Sequence, residues 1–264
     1  QKKISKNLLV ALLFRLFMHL FFFLILSTFC LNNCYAAYPF PSKPHKISYT
    51  KKAANFFTEI VNASVPAVVF IQVKLTPSSS WISSLWGKNE EIAYIGSGFL
   101  ITEDGYIITN EHIIQGADII TVTLSNQLQF DGVLIGADPI SDIALIKIEA
   151  EGLPFLALAD SDSIELGEWV AAIGSPFGLQ STVTFGIISS LKKDKFQEPD
   201  TLQVNLSINP GNSGGPLLNL DGDVIGVNRS TWRYKEGFYT GLSFAIPSNV
   251  AKDAIEKLLD QELR

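Results

Sequence analysis

The chain has 264 residues, 47% of them hydrophobic and 17% charged, with 26 acids against 20 lysines and arginines for a formal net charge of −6. That size and apolar content suit one large or two small globular units. The acidic balance argues against a nucleic-acid partner.

The N-terminus stands apart. Lys2, Lys3, Lys6 and Arg15 precede or interrupt an apolar run from Leu8 to Leu31, and no acid occurs before Glu59. A basic start, an apolar core and the small pair Ala36-Ala37 predict a secretory signal peptide over 1–36. The competing reading is a retained N-terminal membrane anchor, because the run is long enough to span a bilayer. A lipoprotein signal fits poorly, since the bulky Phe29 precedes Cys30. Both cysteines, Cys30 and Cys34, fall in this segment, so the exported part would rely on its core and not on disulfides. Removing 1–36 takes away four basic groups and no acids, which moves the net charge from −6 to −10.

Residues 37–50 form a linker, Pro-rich from Pro39, and Lys51–Val61 predicts a short amphipathic helix with Phe56, Phe57, Ile60 and Val61 as its apolar set. Short apolar runs broken by turn residues follow, the signature of an all-β barrel or sandwich. The first set covers 67–73, 95–102, 106–110, 119–124, 129–135 and 142–148; the second covers 169–173, 183–191, 202–208, 217–220, 224–228 and 239–246. Gly98–Ile108 and Gly215–Ile225 echo one another, each with an Asp-Gly turn, which points to two related halves. Pro247-Ser248 ends the last run, and 249–263 predicts a helix with Val250, Ala254, Ile255, Leu258 and Leu259 on one face, docked on the second half.

Three short segments carry chemistry. Ile208-Asn209-Pro210-Gly211-Asn212-Ser213-Gly214-Gly215-Pro216 sets a serine in a glycine-rich bend, where the backbone can turn tightly and expose both the hydroxyl and nearby N–H groups. A serine nucleophile needs a base within hydrogen-bond reach, and histidine is the usual one. Of three histidines, His19 lies in the apolar N-terminal segment and His45 in the Pro-rich stretch, so His112 is the candidate base. The orienting carboxylate is less forced. Asp142 opens the apolar run Ile143–Ile148, which reads as a strand buried on both faces, so its carboxylate can be partly desolvated. Asp138, followed by Pro139, is the nearest competitor and reads as a turn initiator.

With Gly96-Ser97-Gly98-Phe99, Thr109-Asn110-Glu111-His112, Ser141-Asp142-Ile143-Ala144, Ala172-Ile173-Gly174-Ser175-Pro176-Phe177-Gly178 and Phe244-Ala245-Ile246-Pro247-Ser248, these segments resemble the chymotrypsin-like serine proteases of the HtrA (Deg) family. The resemblance implies a double six-stranded β-barrel with short N- and C-terminal helices over 51–264. Barrel one would span about 64–155, barrel two about 165–248 and the C-terminal helix 249–263. It makes Ser213 the nucleophile, His112 the general base and then acid, and Asp142 the orienting carboxylate. The N–H groups of Gly211 and Ser213 would form the oxyanion hole. Ser207, Ile208, Thr231 and Trp232 would line the substrate pocket, with Ser207 at its floor. Without an aspartate at that floor, the expected preference is for small or medium apolar side chains rather than Arg or Lys. Relatives commonly continue into PDZ domains; this sequence stops before one. The family usually has an aspartate where Asn205 stands. Asn212 offers no negative charge to a new N-terminus, so activation by such an ion pair is not expected.

The expected function is an exported serine endopeptidase of the periplasm or cell envelope that degrades misfolded or unfolded proteins through an acyl-enzyme. The rivals are a chaperone-like binding protein whose triad is idle, and a processing protease with one target. No metal or organic cofactor is implied. A trimer is expected by resemblance, with Tyr38 and Phe40 as candidate contacts. Trp81, Ile82, Leu85 and Trp86 in the loop Leu75–Glu91 would face another subunit, a membrane or an unfolded client, or else fold over their own barrel.

Overall fold

Twelve strands fall into two closed, antiparallel barrels of six. This computed structural model describes residues 56–75, 92–175, 181–191, 200–209, 211–229 and 243–262, together with positions 15, 18 and 21. The 1–36 segment, the linker, Tyr38, Phe40, Trp81, Ile82, Leu85, Trp86, Thr231 and Trp232 thus lie outside the described residues, three positions of the first segment excepted.

The first barrel comprises β1 (Val68–Leu75), β2 (Ile92–Leu100), β3 (Tyr106–Thr109), β4 (Ile119–Thr123), β5 (Gln129–Asp138) and β6 (Ile143–Lys147), closed in the order β1-β2-β3-β6-β5-β4. The second comprises β7 (Trp169–Gly174), β8 (Thr182–Ser190), β9 (Leu202–Val204), β10 (Pro216–Leu218), β11 (Val224–Arg229) and β12 (Ser243–Pro247), and repeats that order as β7-β8-β9-β12-β11-β10. Each predicted apolar run holds one strand. The run 202–208 yields strand only to Val204, beyond which the chain bends toward the serine loop.

Alternation decides the faces. In β1 the residues Val69, Ile71 and Val73 are fully buried while Phe70 and Gln72 are half-buried, as a strand with one core-facing side requires. In β6, Ile143, Ala144, Leu145 and Ile146 are all fully buried, so this strand is covered on both sides as its unbroken apolar run predicts. The two Asp-Gly turns form as read: Gly105 has φ 104° between β2 and β3, and Gly222 has φ 87° between β10 and β11. Their resemblance does not reflect the duplication, however. One hairpin joins the second and third strands of its barrel and the other the fourth and fifth, so the echo is a local turn solution used twice. The likeness of the halves lies in strand order.

Helix α1 (Phe56–Ser64) leads into β1 yet packs on the other barrel, with the Phe57 ring 4.4 Å from that of Phe185 and 5.8 Å from that of Trp169, both edge-on. A one-turn helix α2 (Glu111–Ile114) follows β3, and α3 (Ser248–Glu262) closes the described chain. The apolar face of α3 does not dock on the second barrel alone: it bridges the two. Its buried Ala251, Ala254, Ile255 and Leu258 belong to one apolar cluster with residues of β5 and β6 on one side and β11 and β12 on the other. Gly136 on β5 makes room for it, since a Cβ there would stand 2.8 Å from Leu258 Cδ2. Asp160 anchors the helix start by accepting a 2.7 Å hydrogen bond from Asn249 Nδ2. That bond, with a second from the Asp162 N–H, holds the Asp160 carboxyl below the usual carboxylate range.

Truncating Leu258 to Ala removes buried methyl groups from this bridge and leaves a cavity that closely packed strands cannot fill. The expected loss of stability is about 2–4 kcal/mol, read as a lowered denaturation midpoint with little change in m-value.

Candidate active site

Asp142 organises the first half of the site. Its backbone is left-handed, φ 56°, a conformation that aspartate tolerates better than most residues. The turn before it is held by Asp138, whose carboxylate accepts from the Ile140 N–H at 3.0 Å and from Ser141 Oγ at 2.7 Å, the turn-initiating role read from Asp138-Pro139. Asp142 then serves as a cap, from another part of the chain, for α2. Its carbonyl accepts from the Glu111 N–H at 3.2 Å and from Asn110 Nδ2 at 3.1 Å, and its Oδ1 accepts from the His112 N–H at 3.0 Å. Three donors at the start of a one-turn helix thus converge on one residue.

The same carboxylate meets the imidazole. His112 Nδ1 lies 2.9 Å from Oδ1 and 3.0 Å from Oδ2 of Asp142. An ionised carboxylate only accepts, so Nδ1 carries the proton and Nε2 is left with its lone pair. The Asp142 side chain is 5% exposed against 44% for His112, so the acid is sheltered and the ring faces the solvent side. A cationic donor, Arg229 Nε on β11, stands 3.0 Å from Asp142 Oδ2.

The serine loop comes from the second barrel and is stitched to the first through Ser97 on β2. The Ser97 N–H donates to the Ser213 carbonyl at 2.9 Å, and its Oγ donates to the Gly211 carbonyl at 2.5 Å. Ser97 Oγ also accepts from the Ser175 N–H at 2.7 Å, and its carbonyl accepts from Thr109 Oγ1 at 2.7 Å. Ser97 is fully buried. Asn228 holds the other side of the loop, exchanging backbone hydrogen bonds with Gly214 at 2.9 Å and Gly215 at 2.8 Å. Its Nδ2 donates to the carbonyls of Pro216 and Ile173.

Glycine is required at 214 on two counts. Its φ is 83°, and a Cβ would collide with Ser97 O and Thr109 Oγ1 while standing 3.1 Å from Ile113 Cδ1. The residue after Ser213 therefore lies against the residue after His112, which brings serine and imidazole to one seam. Among the described residues no hydrogen bond joins Ser213 Oγ to the ring; such contacts are commonly long in unliganded sites and tighten with substrate. Gly211 has φ 100°, and among the described residues neither its N–H nor that of Ser213 donates a hydrogen bond within the backbone.

The pocket residues read from the sequence are only partly brought here. Ser207 is exposed, its carbonyl accepting from Thr184 Oγ1 at 3.1 Å. Ile208 is fully buried in the apolar cluster of the second barrel, so its side chain serves that core and not a substrate pocket. Asn212 is 1% exposed, and neither atom of its amide has a partner among the described residues.

Residues 96–227 match the trypsin-like peptidase domain family, half of the chain. The chain belongs to that family. Within it, the kinship is with the HtrA/Deg proteases. A probable periplasmic serine endoprotease, DegP-like, from Halomonas elongata is 49% identical over 174 residues, which cover 65% of this chain and 36% of the relative. A protein of the same description from a Marinomonas strain is 41% identical over 234 residues, covering 76% of this chain and 49% of the relative. A solved structure of the HtrA-type protease AlgW with tripeptide superposes with a TM-score of 0.67 at 33% identity, covering 78% of this chain and 64% of that one. The chain thus spans between about a third and half of the length of these curated relatives.

Ser97 and Arg229 are among the contributors to the site that were not read from the sequence. Ser97 lies in a Gly-Ser-Gly segment that signals close backbone approach without revealing to what. Arg229 ends an apolar strand, where a charge usually marks a solvated end. Replacing Ser97 by Ala strands the Gly211 carbonyl and the Ser175 N–H, at about 1–3 kcal/mol for each buried group left unpaired. The expected outcome is a fall of ~10–100-fold in the rate at which Ser213 reacts with a fluorophosphonate, with circular dichroism unchanged.

Proposed function

We propose that this HtrA/Deg-family chain is a serine endopeptidase in which Ser213 attacks the scissile carbonyl, His112 moves the proton and Asp142 orients the ring. The observation that carries the reading is the two-point approach of His112 Nδ1 to a sheltered Asp142 carboxylate, at the seam where Gly214 packs on Ile113. The chemistry follows from those contacts. Nε2 takes the Ser213 hydroxyl proton as Oγ bonds to the carbonyl carbon, and the imidazolium so formed sits against Asp142. The Gly211 and Ser213 N–H groups receive the oxyanion, in a loop held rigid by Ser97 and Asn228, so little reorganisation is needed as charge develops. The imidazolium then returns its proton to the leaving amine, the C–N bond breaks and an acyl-enzyme remains. Water, deprotonated by the same imidazole, releases it and restores the serine.

The substrates proposed are misfolded or unfolded proteins of the cell envelope, met in the periplasm after export. The kinship with proteins described as probable periplasmic serine endoproteases supports that setting. Asn212 is buried and uncharged, so control through an ion pair with a new N-terminus has no carboxylate to use there. Oligomer contacts and ordering of loops around the seam are the proposed means of control.

Unfolded casein as substrate tests the reading. Wild type is expected to cleave it at internal bonds, and Ser213→Ala to lower the rate by at least ~10⁴-fold. Unchanged cleavage by that variant ends the assignment of the nucleophile. Suppressed aggregation without cleavage by wild type points to a holdase, and cleavage of one native partner but not casein to a processing protease.

A further inference from the structure

Arg229 is not used by the chemistry above, yet it touches the acid on which that chemistry depends. It is the last residue of β11 in the second barrel, and its Nε reaches across the seam to Asp142 Oδ2 at 3.0 Å. The same oxygen stands 3.0 Å from His112 Nδ1. One carboxylate, 5% exposed, is therefore divided between an imidazole and a guanidinium that lie within about 6 Å of each other through it.

Two consequences follow from that sharing. First, the carboxylate is pinned from both barrels, since its other oxygen already accepts the His112 N–H at 3.0 Å from within its own. Second, a guanidinium is permanently charged, so its hold on the carboxylate does not lapse as the medium changes. Other charged groups of these elements are engaged elsewhere or lie on the turn of the ring itself. Asp138 is bound to Ile140 and Ser141, Lys147 at the far end of β6 donates to the carbonyls of Asp104 and Ile148, and Glu111 precedes His112 in α2. Among the described residues β2, which α2 also touches, contributes no charged side chain.

We propose that Arg229 is a positioning residue that acts through Asp142, fixing from the opposite barrel the carboxylate that orients His112. The inference rests on the assignment of Ser213, His112 and Asp142 made above. Without that hold the carboxylate is free to turn away from the ring, and the reactivity of Ser213 falls.

The test is the second-order rate of fluorophosphonate labelling of the full chain, with the modified residue located by peptide mapping and folding followed by thermal denaturation. Arg229→Gln keeps an N–H donor and loses the charge; Arg229→Met loses both; Arg229→Lys keeps the charge. The rate is expected to fall about tenfold or more in the Met variant and to stay within about threefold of wild type in the Lys variant, with Gln between them. Should the Met variant not fold, the Gln variant carries the comparison. An unchanged rate in the neutral variants overturns the proposal, and so does a folded Lys variant that falls as far as Met. Label on a residue other than Ser213 sinks the underlying assignment instead, so the two failures are told apart.

Discussion

A single buried hydroxyl crossing the seam between the barrels is the constraint on which the site depends. Each barrel closes on its own hydrogen bonds, so nothing in the strand ladders fixes one against the other. Beside the packing of α1 and α3 and the Arg229–Asp142 pair, the serine loop itself is held by Ser97, whose four polar contacts reach Ser213, Gly211, Ser175 and Thr109. Because it is fully buried, water cannot substitute for these partners at low cost. The serine loop is therefore held by the very strand that leads through its hairpin into β3 and on to His112. Geometry that spans 114 residues of sequence is set by one side chain two heavy atoms long.

The acid at the centre illustrates the same economy. Asp142 caps α2 through its main chain and through one oxygen, and orients the ring with both. Helix start and ring orientation are thus not independent: a carboxylate displaced from one is displaced from the other.

How much of this was legible in the sequence depended on the range of the signal. Strands follow from local alternation and turn chemistry, and each of the twelve overlaps one predicted run, with ends that differ by up to four residues, since a run such as Ile143–Lys147 has few other ways to bury itself. His112 followed from scarcity, since the alternatives were two histidines in segments of other character. What failed was information about partners. The apolar stripe on α3 told that the helix is buried, and it could not tell that the burying surface is drawn from both barrels. The repeated Asp-Gly hairpins encode turns and say nothing of strand position. Ile208, apolar and next to the serine loop, suits a pocket wall or a core equally well, and only tertiary packing decides for the core. Arg229 was invisible for the same reason, since an ion pair spanning 87 positions leaves no local pattern.

The bridging of both barrels by α3 has a mechanical corollary. Its buried face belongs to a single apolar cluster that draws on both shells, with Ala171, Ile173 and Leu218 of one and Ile71, Phe99 and Ile113 of the other. Prising the shells apart would therefore wet a shared interior, a cost that grows with the area opened. The fold keeps its two halves in step by making them own one dry space in common.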